Sequence, residues 1–226
     1  MFEKWAWMIF CSFCFMGLIE NRISHSSTIL PKPSLDGKVS VEKAVKERRT
    51  IRDFKGQSLS LTQLSQLLWA AQGVTDPKEG KRAAPSGGAL YPLDIYVIIG
   101  RNGVERIEEG IYHYLPEGHS ILRISQGDRR KEVAPASLWQ MWMARAPVIF
   151  IITAEYKRIT GKYGERGIRY ALIEVGHVGQ NLFLQAEALG LGTGIVGAFN
   201  DNDLLKITGI VPKHEPILIM PVGYKK

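Results

Sequence analysis

Between Arg166 and Leu189, the residues Ile168, Ala171, Leu172, Val175, Gly179, Leu182, Ala186 and Leu189 recur every three or four positions. That spacing places side chains on one face of an α-helix, and the run predicts the longest helix of the chain with this face buried. Gly179 and the alanines predict close approach of a second element. Tyr170, Glu174, Asn181 and Gln185 fall on a separate polar stripe. A helix occupied on both faces belongs in a core or an interface, so the rest of the chain must be arranged around it.

What surrounds it reads as one α+β unit without internal repeats. Short apolar runs, LDIYVIIG from Leu93 to Gly100 and PVIFIITAE from Pro147 to Glu155, predict interior strands. GIYHYL, PEGH and SILRIS predict strand, turn and strand from Gly110 to Ser125, and EPILIMPVGY predicts a last strand. Ser40 is a candidate N-cap for a short helix with a strongly basic end, carrying Val41, Ala44, Val45 and Arg48 on one face. Ser60 and Gln63 form a capping-box pattern before Leu64, Leu67, Leu68 and Ala71, with Gly73 as the stop. DRRKEVAPASLWQMWM predicts a helix interrupted at Pro135. LGTGIVGAF is a glycine-punctuated near-strand, and NDNDLLKITG a short helix. A chain of 226 residues accommodates one sizeable domain.

Ahead of that unit, Trp5 to Ile19 is fifteen residues without a charge. It is too short to span a bilayer comfortably, and its length matches an export signal or short anchor. Residues 5–19 therefore predict an exported or membrane-attached protein. The alternative is a cytoplasmic chain whose translation begins later, for instance at Met16. SSTILPKPSLDGK, Ser26 to Lys38, reads as a linker, which divides the chain into a leader and linker, residues 1–38, and a folded domain, residues 39–226.

Composition excludes several chemistries. Both cysteines, Cys11 and Cys14, lie in the apolar run, so the body has no disulfide, thiol nucleophile or cysteine metal site. The five histidines show no tight ligand spacing, and no metal site is expected. The net charge of +7 favours anionic ligands. Its basic residues are scattered and match no nucleic-acid motif, so no nucleic-acid partner is expected. No nucleophile elbow or paired carboxylate motif supports a hydrolase.

Four segments are unusual for a plain scaffold. RRTIR, Arg48 to Arg52, concentrates three guanidinium groups and the Thr50 hydroxyl, donors suited to a phosphate, although charge runs are commonly solvated turns. PSGGALYP, Pro85 to Pro92, fits neither phosphate-loop pattern, and its small residues let a backbone approach a ligand closely or form an ordinary loop. KYGERGIRY, Lys162 to Tyr170, is rich in ionisable groups. GTGIVGAF offers backbone N–H groups to a planar ligand, or a tight turn.

In this order, RRTIRDF, PSGGALYP, GHVGQNL in the long helix, LGLGTGIVGAF and the terminal PVGY resemble the nitroreductase superfamily of FMN-dependent oxidoreductases. PSGGALYPLDIYV, GIYHYLPEGHSI and KYGERGIRYALIEVGHVGQNL are similar to its SagB-type dehydrogenases, which include thiazole- and oxazole-forming peptide oxidases. The resemblance runs from about Val39 to Tyr224. It implies an α+β nitroreductase-like fold, a central mainly antiparallel sheet flanked by helices, in an intertwined homodimer with FMN at the subunit interface. By position it implies Arg48, Arg49, Thr50 and Arg52 on the FMN phosphate and ribityl chain, with Lys225 reaching the phosphate. Pro85, Ser86, Gly87, Gly88 and Ala89 would line the isoalloxazine, and Val196 and Gly197 would face flavin N5. Many relatives carry asparagine where this loop has Ala89, which makes simple nitroreductase activity the weaker expectation.

Lys162 and Tyr163 match a pair that the azole-forming oxidases use as acid and base. The expected function is an FMN-dependent oxidoreductase passing hydride through flavin N5 between NAD(P)H or an organic substrate and an acceptor. Its substrate is a small molecule or a peptide. The alternatives are an azoline-type peptide dehydrogenase, and a non-catalytic flavin-binding or membrane-assembly protein.

Overall fold

The computed structural model describes residues 27–226. The apolar run at 5–19, both cysteines and the alternative start at Met16 lie outside the described residues. Seven strands form one sheet: β1 (Ser27–Ile29), β4 (Leu93–Ile99), β5 (Gly110–Leu115), β6 (Ser120–Gln126), β7 (Val148–Ala154), β8 (Leu191–Thr193) and β9 (Glu215–Tyr224). Their order is β1-β6-β5-β4-β7-β9-β8, and every neighbouring pair is antiparallel. A separate two-strand ribbon joins β2 (Val74–Asp76) to β3 (Lys81–Arg82).

The continuous apolar strands follow from a sheet covered on both faces. All seven residues of β7 are buried. Val148, Phe150, Ile152 and Ala154 join Ile95, Val97 and Ile99 of β4 in one core, which also holds Leu64, Leu67 and Leu68 of α2 (Leu61–Gln72) and Val175, Val178 and Leu182 of α5 (Arg166–Ala188). The alternate residues, Ile149 and Ile151 with Tyr96 and Ile98, form a second core. That core is closed by α3 (Arg130–Ala136), a 3₁₀ turn at Met141–Arg145 and α6 (Asp201–Thr208). Period-two alternation thus persists, but both of its faces are dry.

The long helix lies where its pattern requires. A Cβ at Gly179 would stand 3.3 Å from a Leu218 methyl and 3.6 Å from the Met220 sulfur, so glycine lets α5 sit directly on β9. Its buried stripe is Ala171, Val175, Val178, Gly179, Leu182 and Ala186. Leu172, expected on that stripe, is exposed together with Ile173, because the buried face is rotated one residue away from it.

Other boundaries differ for local reasons. Ser27–Ile29, inside the stretch read as a linker, pairs with Ser120–Leu122 as β1, since the edge of β6 supplies a hydrogen-bonding template no local pattern reveals. Only Ala44 is buried in α1 (Val41–Glu47); Val41 and Val45 face outward. LGTGIVGAF gives a three-residue strand and then a loop. A further helix, α4 (Lys157–Tyr163), precedes α5, separated from it by Gly164 at φ 55°. Among the described residues no helix is long and apolar enough to cross a membrane.

Candidate functional site

The expected ligand residues gather in two places, at different levels of α5. The first begins where α1 ends. Arg48 caps α1, and the chain then runs extended beside β8, with Thr50 bridging to Thr193 and the Ile51 N–H donating to the Thr193 carbonyl at 3.0 Å. This approach depends on glycines: a Cβ on Gly192 would lie 2.6 Å from an Ile51 carbon, and one on Gly194 would lie 2.5 Å from the Trp142 ring.

The arginines fan out from that segment. Arg48 stands 5.1 Å over the Phe183 ring of α5, and Arg52 stands 5.9 Å over the Trp142 ring. Arg49 donates to the carbonyls of Lys46 and Arg48. None of the three is paired with a carboxylate among the described residues. Lys225 reaches the same edge through the β8–β9 pairing, but its ammonium is bound to Glu187 of α5 at 2.6 Å. Val196 is buried and exchanges two 2.9 Å backbone hydrogen bonds with Ile219, while Gly197 is exposed beyond it.

The second place is the loop before β4. Pro85 is exposed, the Pro85 carbonyl faces His177 Nδ1 at 3.4 Å, and Ser86 Oγ accepts from the Tyr91 N–H at 2.9 Å. Gly87–Ala89 forms a single 3₁₀ turn in which Gly88 has φ 64° and Ala89 φ 54°. Against this turn lie Lys162 and Tyr163 from the end of α4. A Cβ on Gly88 would stand 2.6 Å from the Tyr163 hydroxyl and 3.2 Å from the Lys162 ammonium. Lys162 also sits 5.3 Å over the Tyr163 ring, which meets Tyr170 edge-on. A cavity of about 200 Å³ opens between the loop and α5, lined by Pro85, Ser86, Gly87, Tyr170, Glu174 and His177.

Lys162 and Tyr163 are thus brought onto the glycine loop, whereas the arginines are not. The loop meets α5 at Tyr170 and His177, and the arginine cluster meets it at Phe183. Along the helix, at 1.5 Å per residue, Phe183 is about 9 Å from His177 and about 20 Å from Tyr170.

Two buried polar groups were not singled out from sequence. Glu174, on the polar stripe, is 1% exposed and accepts from Gln72 Nε2 at 3.0 Å. Burial pushes its carboxyl above the usual range, although Ser86, Gln72, Arg82 and His177 pull it back. In a second cluster, Asp94 joins His113 at 2.9 Å and Arg158 at 2.8 Å, and the Tyr96 hydroxyl meets His214 Nδ1 at 2.7 Å. Burial opposes ionisation of Asp94, yet the His113 hydrogen bond and the neighbouring positive charges hold it below the usual carboxylate range. The partners lie on different strands and helices, so neither group has a local sequence signal.

Known proteins place this architecture. Residues 45–224 match the model of the nitroreductase family. A Methanocaldococcus jannaschii protein bearing the family's name, MJ1384, is 48% identical over 187 residues, covering 83% of this chain and 92% of its own. The microcin B17-processing protein McbC of Escherichia coli is 27% identical over 153 residues, 66% of this chain and 56% of McbC. A nitroreductase structure from Ralstonia eutropha superposes with a TM-score of 0.77 at 27% identity, over 88% of this chain and 90% of the other. With the antiparallel sheet flanked by helices and a match across nearly all the described residues, the chain belongs to the nitroreductase family.

Proposed function

We propose that this family oxidoreductase uses FMN, held by residues from both places on α5, and passes hydride between NAD(P)H or an organic substrate and an acceptor. The observation that carries the reading is the cluster of three guanidinium groups without carboxylate partners, set where β8 and the Gly194–Gly197 loop leave the sheet. Arg48, Arg49, Arg52 and Thr50 are the donor types a phosphate dianion requires. Pro85 to Ala89 offer a backbone surface with little side-chain bulk, as a flat ring requires. The donor set therefore fits FMN.

Bound FMN would supply the two-electron chemistry at N5; the chain supplies binding, orientation and protons. Val196, fixed by its backbone bonds to Ile219, holds its neighbourhood rigid beside the exposed Gly197. Lys225 is neutralised by Glu187, so its part in binding phosphate requires exchange of that partner. In the intertwined homodimer that the family resemblance implies, the arginines of one copy would complete the loop of another. Protein offered excess FMN should turn yellow, retain the flavin through gel filtration and be bleached by NADH or NADPH without oxygen. A colourless protein after that treatment would overturn the reading.

A second reading, dehydrogenation of an azoline in a peptide, is favoured by one contact. Lys162 and Tyr163 lie directly on the Gly88 turn, where a base is needed as hydride leaves the adjacent carbon. McbC, a relative, is named for microcin B17 processing. On the true substrate Lys162→Ala should lower turnover by about 10²-fold or more; unchanged turnover removes Lys162 from the chemistry. Attachment to a membrane through residues 5–19 is part of the same proposal for location, and deletion of that run should release the protein from the membrane fraction.

A further inference from the structure

The Gln72–Glu174 pair is incompletely satisfied in a telling way. Both side chains are 1% exposed. Gln72 Nε2 donates to Glu174 Oε1 at 3.0 Å, and the two remaining oxygens, Glu174 Oε2 and Gln72 Oε1, are buried without hydrogen-bond partners. With the Nε2–Oε1 bond already made, these are the remaining donor-less atoms of the two groups. A carboxylic acid protonated on Oε2 and a primary amide form a closed ring in which each group donates once and accepts once. An ionised carboxylate would leave two buried acceptors and no donor between them.

The surroundings agree with the neutral form. From α2 the carboxyl meets the uncharged Gln72 amide; from the loop it meets Ser86. Arg82 of β3 and His177 of α5 are the neighbours that favour its ionised form, and neither forms an ion pair with Glu174 among the described residues. Burial outweighs their attraction and pushes the carboxyl upward.

The pair also backs the loop. Ser86 Oγ has one lone pair committed to the Tyr91 N–H, so the direction of its proton is still open. A charged Glu174 would draw that proton to itself. A neutral one, its own proton committed to Gln72, leaves the Ser86 O–H free to donate into the cavity that Glu174 and Ser86 line together.

We propose that Glu174 is a neutral carboxylic acid locked to Gln72, and that it serves as a positioning residue presenting the Ser86 hydroxyl as a donor to a ligand acceptor at the loop. The ligand is of the class that offers an electron-rich heteroatom there, such as a ring nitrogen or carbonyl of a flavin; this assignment rests on the flavin reading above.

The test compares full-length wild type with E174Q, Q72L and S86A. Difference infrared spectra of FMN-free protein at neutral pH should show the carbonyl band of a protonated acid, absent from E174Q. E174Q, which replaces acid and amide by a pair of amides, should melt with the wild type and bind FMN within about twofold of it, whereas Q72L melts lower and S86A binds about tenfold more weakly. Raising the pH through the Glu174 titration should weaken FMN binding in wild type and leave E174Q unchanged. An absent band, or an E174Q variant as unstable as Q72L, overturns the proposal even if FMN binds tightly. A present band in protein that takes up no FMN overturns the flavin reading and leaves the acid–amide pair standing.

Discussion

Ala89 occupies φ 54°, a left-handed conformation in which an L side chain with no hydrogen-bonding group gains nothing. The conformation costs about 1–2 kcal/mol, and asparagine tolerates it better because its short amide can bond locally. Ala89→Asn should therefore raise stability by about 1 kcal/mol, read as a shift in the denaturant midpoint at unchanged slope. The neighbouring position behaves oppositely. Gly88→Ala combines φ 64° with a Cβ 2.6 Å from the Tyr163 hydroxyl, so it should displace the Lys162–Tyr163 pair and weaken FMN binding. Tight binding with an unchanged tyrosine environment in near-ultraviolet circular dichroism would refute this. The glycine loop was legible as a place of close approach, but what approaches it was not, since Tyr163 lies 75 positions further along the chain.

The helices that announced themselves did so through caps and period. In α2, Ser60 Oγ accepts from the Gln63 N–H while Gln63 Oε1 accepts from the Ser60 N–H, and Ser60→Ala should cost about 1 kcal/mol. Gly73 stops α2 at φ −65°, outside the left-handed region; it is required because a Cβ would lie 2.3 Å from the Trp69 side chain. The helix α4 and the β2–β3 ribbon left no comparable trace. Each is short: α4 has seven residues, and the ribbon is a local pairing of a three-residue and a two-residue strand. Strand order was equally invisible, because hydrophobic runs specify burial on two faces without naming neighbours.

The polar cluster on β4 and β5 carries a pH dependence. His214 is pushed below its usual value, chiefly by burial and despite Asp94, and His119 is shifted the same way by burial. The unfolded chain therefore binds these protons more readily, and stability should fall as pH drops through about 6.5, the unfolded histidine value. Asp94 adds a loss in the same direction below about 3.9. A series of melting temperatures across this range should show a shallower decline in His214→Asn than in wild type. Glu174 works the other way: its raised value makes the folded state the stronger proton binder, so its contribution is lost as pH rises above about 4.3.

For the molecule as a whole, the arginine cluster meets α5 at Phe183 and the glycine loop meets it at Tyr170 and His177. Leu172 and Ile173 are about half exposed on α5 beside the loop cavity, an apolar surface suited to a second copy. Ile173→Glu should shift the protein to monomer in sedimentation and release FMN in the same step. A monomer that keeps its flavin would separate the two properties. Residue types alone pointed to both places, while their assignment to one ligand in a dimer is what the family resemblance implies.

The sheet ends in two strands of three residues, and one of them has a protective task. β1 covers Ser120 to Leu122 of β6, while the rest of that outer rim carries Arg123, Ile124, Ser125 and Gln126. Among the described residues, main-chain pairing thus seals Ile121 and Leu122, while the remainder mixes the half-buried Ile124 with charged and polar side chains. Cutting the chain after Leu30 would expose the unpaired N–H and C=O groups around Ile121 and Leu122, a template for strand addition between molecules. Such a truncated protein should scatter light and bind amyloid dyes at concentrations where the intact chain stays clear.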